Sequence, residues 1–314
     1  MRICSLVPGA TEVVAALGLT DQLVGISHEC DFPPQLGEIP VMVRARIESR
    51  SRSSAEIDAQ VGALLSAGES LYELDVPGLL AAKPDVVITQ DLCDVCALTP
   101  GQLAAVLGKL VAPPRIVTLN PRRLDDIIRD TATLGIALGK PEPGAQLAAQ
   151  LRGRLDAVRH LVSAQSARPR VACLEWLSPF YAAGHWVPDM VEAAGGIDTL
   201  AHAGAASHTL DWDRLAAAEA DIILLMPCGF TIARTRTELT TITSHPRWKT
   251  LPAVQREAVY LVDALSYFSR PGPRLIDGVE QLAAIFHPSC YAHRLPAAVE
   301  PLTSHEIPTS MARS

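Results

Sequence analysis

Charge is scarce in this chain of 314 residues: Asp, Glu, Lys and Arg make up 19% of it, against 48% hydrophobic residues. Such a composition excludes global disorder and calls for sizeable cores. The net charge is −7 and the basic residues form no long run, which argues against a nucleic-acid surface. No apolar run reaches the length that spans a bilayer. Also missing are a Gly-x-Ser-x-Gly elbow, a phosphate loop and a dinucleotide glycine fingerprint, so the common hydrolase and nucleotide chemistries have no foothold. Met1 and Arg2 lead straight into the strand-like run ICSLVP, without the longer apolar region and cleavage site of a secretory signal. A true start at Met1 predicts a cytoplasmic protein, and a trimmed start a periplasmic one. The seven cysteines are odd in number, so buried thiols or ligands are expected rather than disulfide bridges.

Against these absences stands one long amphipathic stretch, Pro143 to Ala167. Leu147, Leu151, Leu155, Val158 and Leu161 recur at steps of four and three and share one helical face. Pro141 and Pro143 sit where a helix begins. Strand and helix patterns alternate on both sides of it. Upstream, strands are expected at Ile3–Val7, Leu23–Ser27, Val86–Thr89 and Arg115–Leu119, and a polar surface loop at Val41–Ser54. Downstream, they are expected at Arg170–Leu174, Asp221–Met226 and Ala258–Val262. The reading is α/β: two Rossmann-like lobes with parallel sheets, joined by a long rigid helix that limits hinge motion. The lobes are expected over residues 1–122 and 169–290, with a helical linker over 123–168 and a loosely ordered tail over 291–314.

Ligands of parallel sheets sit beyond the carboxyl ends of the strands. The unusual residues gather there: Thr11 and Glu12, His28 to Asp31, Asp91 to Cys96, Trp176 to Trp186, Cys228, and Tyr267 to Arg270. Thr11 is expected as a helix N-cap with an exposed hydroxyl. A cleft shared by the two lobes would bring all of them to one ligand.

Four stretches carry a family resemblance: SLVPGATE at the start, AAKPDVVITQ before the middle loop, GHWVPDMVEAAGG in the second lobe and VYLVDALSYFSRPGPRLIDGVEQLA near the end. In that order they resemble the periplasmic-binding-protein-like receptors of ABC importers for vitamin B12, siderophores and haem, in particular a signal-less cobalamin-binding subgroup. The resemblance implies the class III substrate-binding-protein fold and a corrinoid, cobalamin-like ligand. Haem or a ferric siderophore is the alternative. It implies a small-molecule ligand and, as a partner, an ABC permease, with no nucleic acid and no membrane span. SHECDFP and DLCDVC depart from the secreted members.

A corrinoid is a large flat body with amide arms and an axial position on cobalt. Its pocket needs aromatic faces and scattered donors. Trp176, Phe180, Tyr181, Trp186, Tyr267 and Phe268 supply faces, although Trp176 and Trp186 also suit a core. His28 or a cysteine thiolate suits the axial position. Thr11, Glu12, Glu29, Cys30, Asp91, Cys93 and Arg270 complete the expected ligand-binding set. Asp91 equally suits loop capping, Glu12 a helix dipole, and Arg270 a surface ion pair. His28, Cys30, Cys93 and Cys96 form a candidate zinc or iron site. Cys93 and Cys96 also fit a redox couple or two packing thiols, and so a cytosolic metal- or thiol-dependent enzyme.

Overall fold

The computed structural model describes residues 1–49, 51–91, 103, 106–108, 112–291 and 295–303. It divides into two compact units. The first comprises Met1–Arg52, Ala59–Arg152 and Pro271–Pro273; the second comprises Ser53–Asp58, Gly153–Arg270 and Arg274–Ser314.

The first unit is built on a sheet of β1 (Ile3–Ser5), β2 (Leu23–Ser27), β3 (Val41–Ala45), β4 (Tyr72–Leu74), β5 (Val86–Gln90) and β6 (Arg115–Leu119), in the order β4-β3-β2-β1-β5-β6. All neighbours are parallel except β3 with β4. The apolar run of β5 is continuous because both sheet faces are covered. Val86 and Ile88 enter one core with Ile3, Val13 and Leu134, while Val87 enters the other with Cys4, Met42 and Leu79. The expected loop over Val41–Ser54 thus gives way to a strand at its start: Met42 and Val43 are buried, and alternation over so few residues is hidden by the Arg and Ser that follow.

The second unit repeats the plan. Its sheet contains β7 (Arg170–Leu177), β8 (Phe180–Ala182), β9 (Ile197–Asp198), β10 (His208–Leu210), β11 (Ile222–Leu225), β12 (Val259–Val262) and β13 (Val299–Pro301). The order is β10-β8-β7-β11-β12-β13, with β9 beside β7. β7, β11 and β12 run parallel; β8, β10 and β13 each pair antiparallel with their neighbours and flank them, with β10 and β13 outermost. Residues beyond 290 therefore supply a paired strand, where a loosely ordered tail was expected, because Val299 buries itself beside Val262.

One corner recurs in both units. The Arg2 N–H donates to the Asp85 carboxylate at 2.7 Å, and the Arg170 N–H to Asp221 at 2.9 Å. The Arg2 guanidinium donates to the Ala82 carbonyl, and that of Arg170 to Ala218. In each unit the aspartate before a neighbouring parallel strand, β5 or β11, fixes the start of the first strand, β1 or β7.

The helices that position the rest are α1 (Pro8–Ala16), α2 (Ser54–Ser66), α3 (Leu124–Ala137), α4 (Pro141–Ser163), α5 (Val187–Ala193) and α6 (Leu275–Phe286). The boundary between the units falls inside α4, between Arg152 and Gly153. Its buried stripe is Leu151, Leu155, Val158 and Val162, whereas Leu161 is 40% exposed. Val162 lies seven residues from Leu155 and so returns to the same face; Leu161, one residue earlier, is turned about 100° from Val162. α3 and α4 cross at glycines: a Cβ on Gly135 would stand 2.6 Å from the Gly144 Cα.

Candidate functional site

At the carboxyl end of β1, α1 begins one turn earlier than expected. Val7 is its N-cap and Pro8 occupies the first helical position, where a missing N–H is harmless. Thr11 therefore lies inside the helix and is fully buried, so the expected exposed capping hydroxyl is absent. Its Oγ1 is 2.8 Å from Ser5 Oγ and 3.1 Å from both the Val7 carbonyl and Cys30 Sγ. Cys30 is itself buried in the core of this unit. Burial, and secondarily Cys30, pushes the neighbouring Cys4 thiol up to about 12. Glu12 is buried one turn into α1, and a Cβ on Gly272 would stand 3.3 Å from its Oε2. SLVPGATE and SRPGP thus meet inside the first unit, where a Cβ on Gly9 would overlap the Pro271 carbonyl at 2.1 Å.

His28 follows β2. Its Nδ1 lies 3.1 Å from the Val43 carbonyl, which only accepts, so Nδ1 carries the hydrogen. Nε2 lies 3.2 Å from Glu29 Oε1. Tyr72 stands beside the imidazole, with ring centroids 6.2 Å apart. Asp91 is exposed at the end of β5, and its N–H donates to the Leu119 carbonyl.

Cys93 and Cys96 lie outside the described residues. Among the described residues no group of three His, Cys, Asp or Glu side chains is placed to hold a metal ion. The Cys30 sulfur is buried among apolar side chains, Thr11 and Ser5.

In the second unit the expected aromatic faces separate into two sets. Phe180, Trp186 and Phe268 are buried at 6%, 5% and 3% exposure and serve the core. Phe180 meets Trp212 edge-on, and Trp186 Nε1 donates to the Phe268 carbonyl at 2.8 Å. Trp176, Tyr181 and Tyr267 are half-buried. The Trp176 N–H donates to the Ser54 carbonyl at 3.1 Å, and the Tyr181 hydroxyl pairs with Asp58 at 3.2 Å. Burial, then the Asp58 charge, raises the Tyr181 hydroxyl. Arg270 is 7% exposed, a guanidinium held within the fold. Cys228 is exposed beyond β11.

Two carboxylates that the sequence pattern did not single out organise this region. Glu175 receives the Ser207 hydroxyl at 2.7 Å and the Gly184 N–H at 3.3 Å; burial still raises its carboxyl. Glu238, 5% exposed, receives the Ser54 N–H at 2.9 Å and the Ser54 hydroxyl, and pairs with Arg234 at 2.8 Å. It closes the first turn of α2 as an anion at a helix N-terminus.

Residues 3–265 match the model of a family described as periplasmic binding protein. The chain belongs to the periplasmic binding protein family. This family member is 26% identical over 286 residues to a vitamin B12-binding protein of Vibrio cholerae, covering 90% of this chain and 87% of the relative. It is 22% identical over 299 residues to a Bacillus subtilis protein described as an uncharacterized ABC transporter substrate-binding lipoprotein, covering 92% and 81%. Among solved structures it is similar to the apo periplasmic heme-binding protein RhuT of Roseiflexus sp. RS-1, with TM-score 0.69, 25% identity and coverage of 92% and 98%. It shares the fold of the periplasmic vitamin B12-binding protein BtuF of Vibrio cholerae, with TM-score 0.66, 23% identity and coverage of 92% and 97%. The expected fold is thereby met, and the chain is a substrate-binding protein of the class these relatives represent. Among the described residues no helix is long and apolar enough to cross a membrane. A family named for the periplasm lends the expected cytoplasmic location no support.

Proposed function

We propose that this periplasmic-binding-protein family member binds a corrinoid and presents it to an ABC permease. The similarity to a vitamin B12-binding protein over 90% of the chain carries this reading. Half-buried Trp176, Tyr181 and Tyr267 offer aromatic surface to a flat macrocycle, and Glu29 and Asp91 offer acceptors to its amide N–H groups. His28 is the candidate axial base: the Val43 carbonyl orients the ring through Nδ1, and cobalt at Nε2 would take the place of the Glu29 carboxylate that stands 3.2 Å from it. Haem is the second reading, favoured by the 25% identity to a heme-binding protein.

Gel filtration of the purified chain with cyanocobalamin, and separately with hemin, tests both. The corrinoid reading expects the red pigment to co-elute at about one per chain and hemin to be left behind. Hemin retention with a Soret shift that His28→Ala removes would replace it with the haem reading. Retention of neither pigment would sink the corrinoid and haem readings together.

A further inference from the structure

We propose that the second unit carries an additional site, in a groove of about 690 Å³, for a small organic cation such as an amine or amidine. The groove lies beyond the carboxyl ends of β11 and β12, and its polar lining is Thr231, Arg236, Asp263, Tyr267, Gln281 and Glu300. Its volume falls in the range of small-molecule pockets.

The charges select the sign of the guest. Arg236 is paired with Glu300, so the two cancel. Asp263 remains as the net charge of the lining. One of its oxygens receives the Ser266 N–H at 3.1 Å, which fixes the carboxylate in place. Within the lining an anion would meet that charge, whereas an ammonium or amidinium would be stabilised by it.

Gln281 selects for N–H donors. It is 6% exposed, and among the described residues its Oε1 has no hydrogen-bond partner. A buried acceptor left without a donor is destabilising, and the last torsion of Gln is broad, so its carbonyl turns readily to a donor in the groove. Tyr267 adds a ring face, and the Arg274 guanidinium already stands 5.9 Å from that ring's centroid. Acceptor, carboxylate and π-face all favour a nitrogen cation. The groove shares Tyr267 with the corrinoid reading, whereas Asp263 and Gln281 belong to the groove alone, so variants at those two residues test it separately.

Benzamidine is the probe, with benzyl alcohol as an uncharged ring of similar size, titrated into the full ¹⁵N-labelled chain at physiological salt. Expected are saturable shifts of the Gln281 side-chain amide and the Tyr267 backbone, with benzyl alcohol binding about tenfold more weakly. Gln281→Leu and Asp263→Asn should each weaken benzamidine by about tenfold. If Gln281→Leu does not fold, Glu300→Gln serves instead, because it removes one negative charge from the lining and should weaken binding as much. Absence of saturation by about 10 mM, shifts confined to other residues, or equal affinity in folded variants would overturn the proposal.

Discussion

The indole N–H of Trp186 donates to the backbone carbonyl of Phe268 at 2.8 Å, joining residues 82 positions apart inside the second unit. Two sequence stretches that look like separate binding motifs, GHWVPD and SYFSRPG, are thereby one packed structure. Their aromatic residues divide accordingly: Trp186 and Phe268 hold the fold, and Tyr267 is half-buried.

Trp186→Phe should therefore lower stability by about 2–4 kcal/mol, from the lost bond, the unpaired carbonyl and the smaller ring. Trp176→Phe, at a half-buried position, should cost about 0.5–1.5 kcal/mol. Urea unfolding of both variants checks this. Equal losses would contradict the division into core and half-buried aromatics.

Gly→Ala substitutions in the two crossing helices should have opposite signs. At Gly135 the new Cβ meets the Gly144 Cα at 2.6 Å, so α3 and α4 must separate, at about 1–3 kcal/mol. At Gly153, in α4, nothing lies within 4 Å, and Ala should stabilise by about 0.5–1 kcal/mol. Melting temperatures of the two variants give the comparison; a rise for Gly135→Ala would refute the close crossing.

Thiol reactivity should follow exposure. Cys228 is exposed, whereas burial pushes the Cys4 thiol up to about 12 and holds Cys173 well above its ordinary value. Brief iodoacetamide treatment near pH 8, followed by peptide mass spectrometry, should find Cys228 labelled well before Cys4 or Cys173. Labelling of Cys4 at the Cys228 rate would show that the β1 core is open.

Stability should carry a signature of Asp198 and Asp130. Burial raises both carboxyls from 3.8 to about 6, in Asp198 against the opposing N–H groups of Leu200 and Ala201. Each binds more protons folded than unfolded, so its contribution is present below the ordinary value and is lost as pH rises through about 6. Asp198→Asn keeps a side-chain oxygen to accept the two N–H bonds and removes the ionisation. Its melting temperature should exceed that of the parent near pH 7.5, with the advantage shrinking towards pH 4. An advantage independent of pH would reject this assignment.

Much of the fold was legible because long-range order here follows local period. The run Val86–Thr89 and the Leu151, Leu155, Val158 stripe declare a strand buried on both faces and a one-sided helix. Family membership was legible in SLVPGATE and SRPGP, whose glycines are required by one close approach, Gly9 against Pro271. The short strands β4, β8, β9, β10 and β13 were not legible, because two or three residues carry no period. Thr11 was misplaced by one turn, since Pro8 opens α1 and a proline there gives no side-chain cap to recognise. Glu175 and Glu238 were invisible for another reason: their partners Ser207 and Ser54 stand 32 and 184 residues away, and nothing local distinguishes a bridging carboxylate from a solvated one.

The two units exchange short segments. Pro271–Pro273 completes the first unit against Gly9, and Ser53–Asp58 completes the second by filling the Glu238 carboxylate. No single scission of the polypeptide yields two whole pieces. A fragment ending in α4 would leave the Gly9 backbone uncovered, and its complement would keep a buried carboxylate robbed of its amide donor. Attempts to produce either half by truncation should give insoluble or protease-sensitive material, and co-expression of the fragments should rescue both.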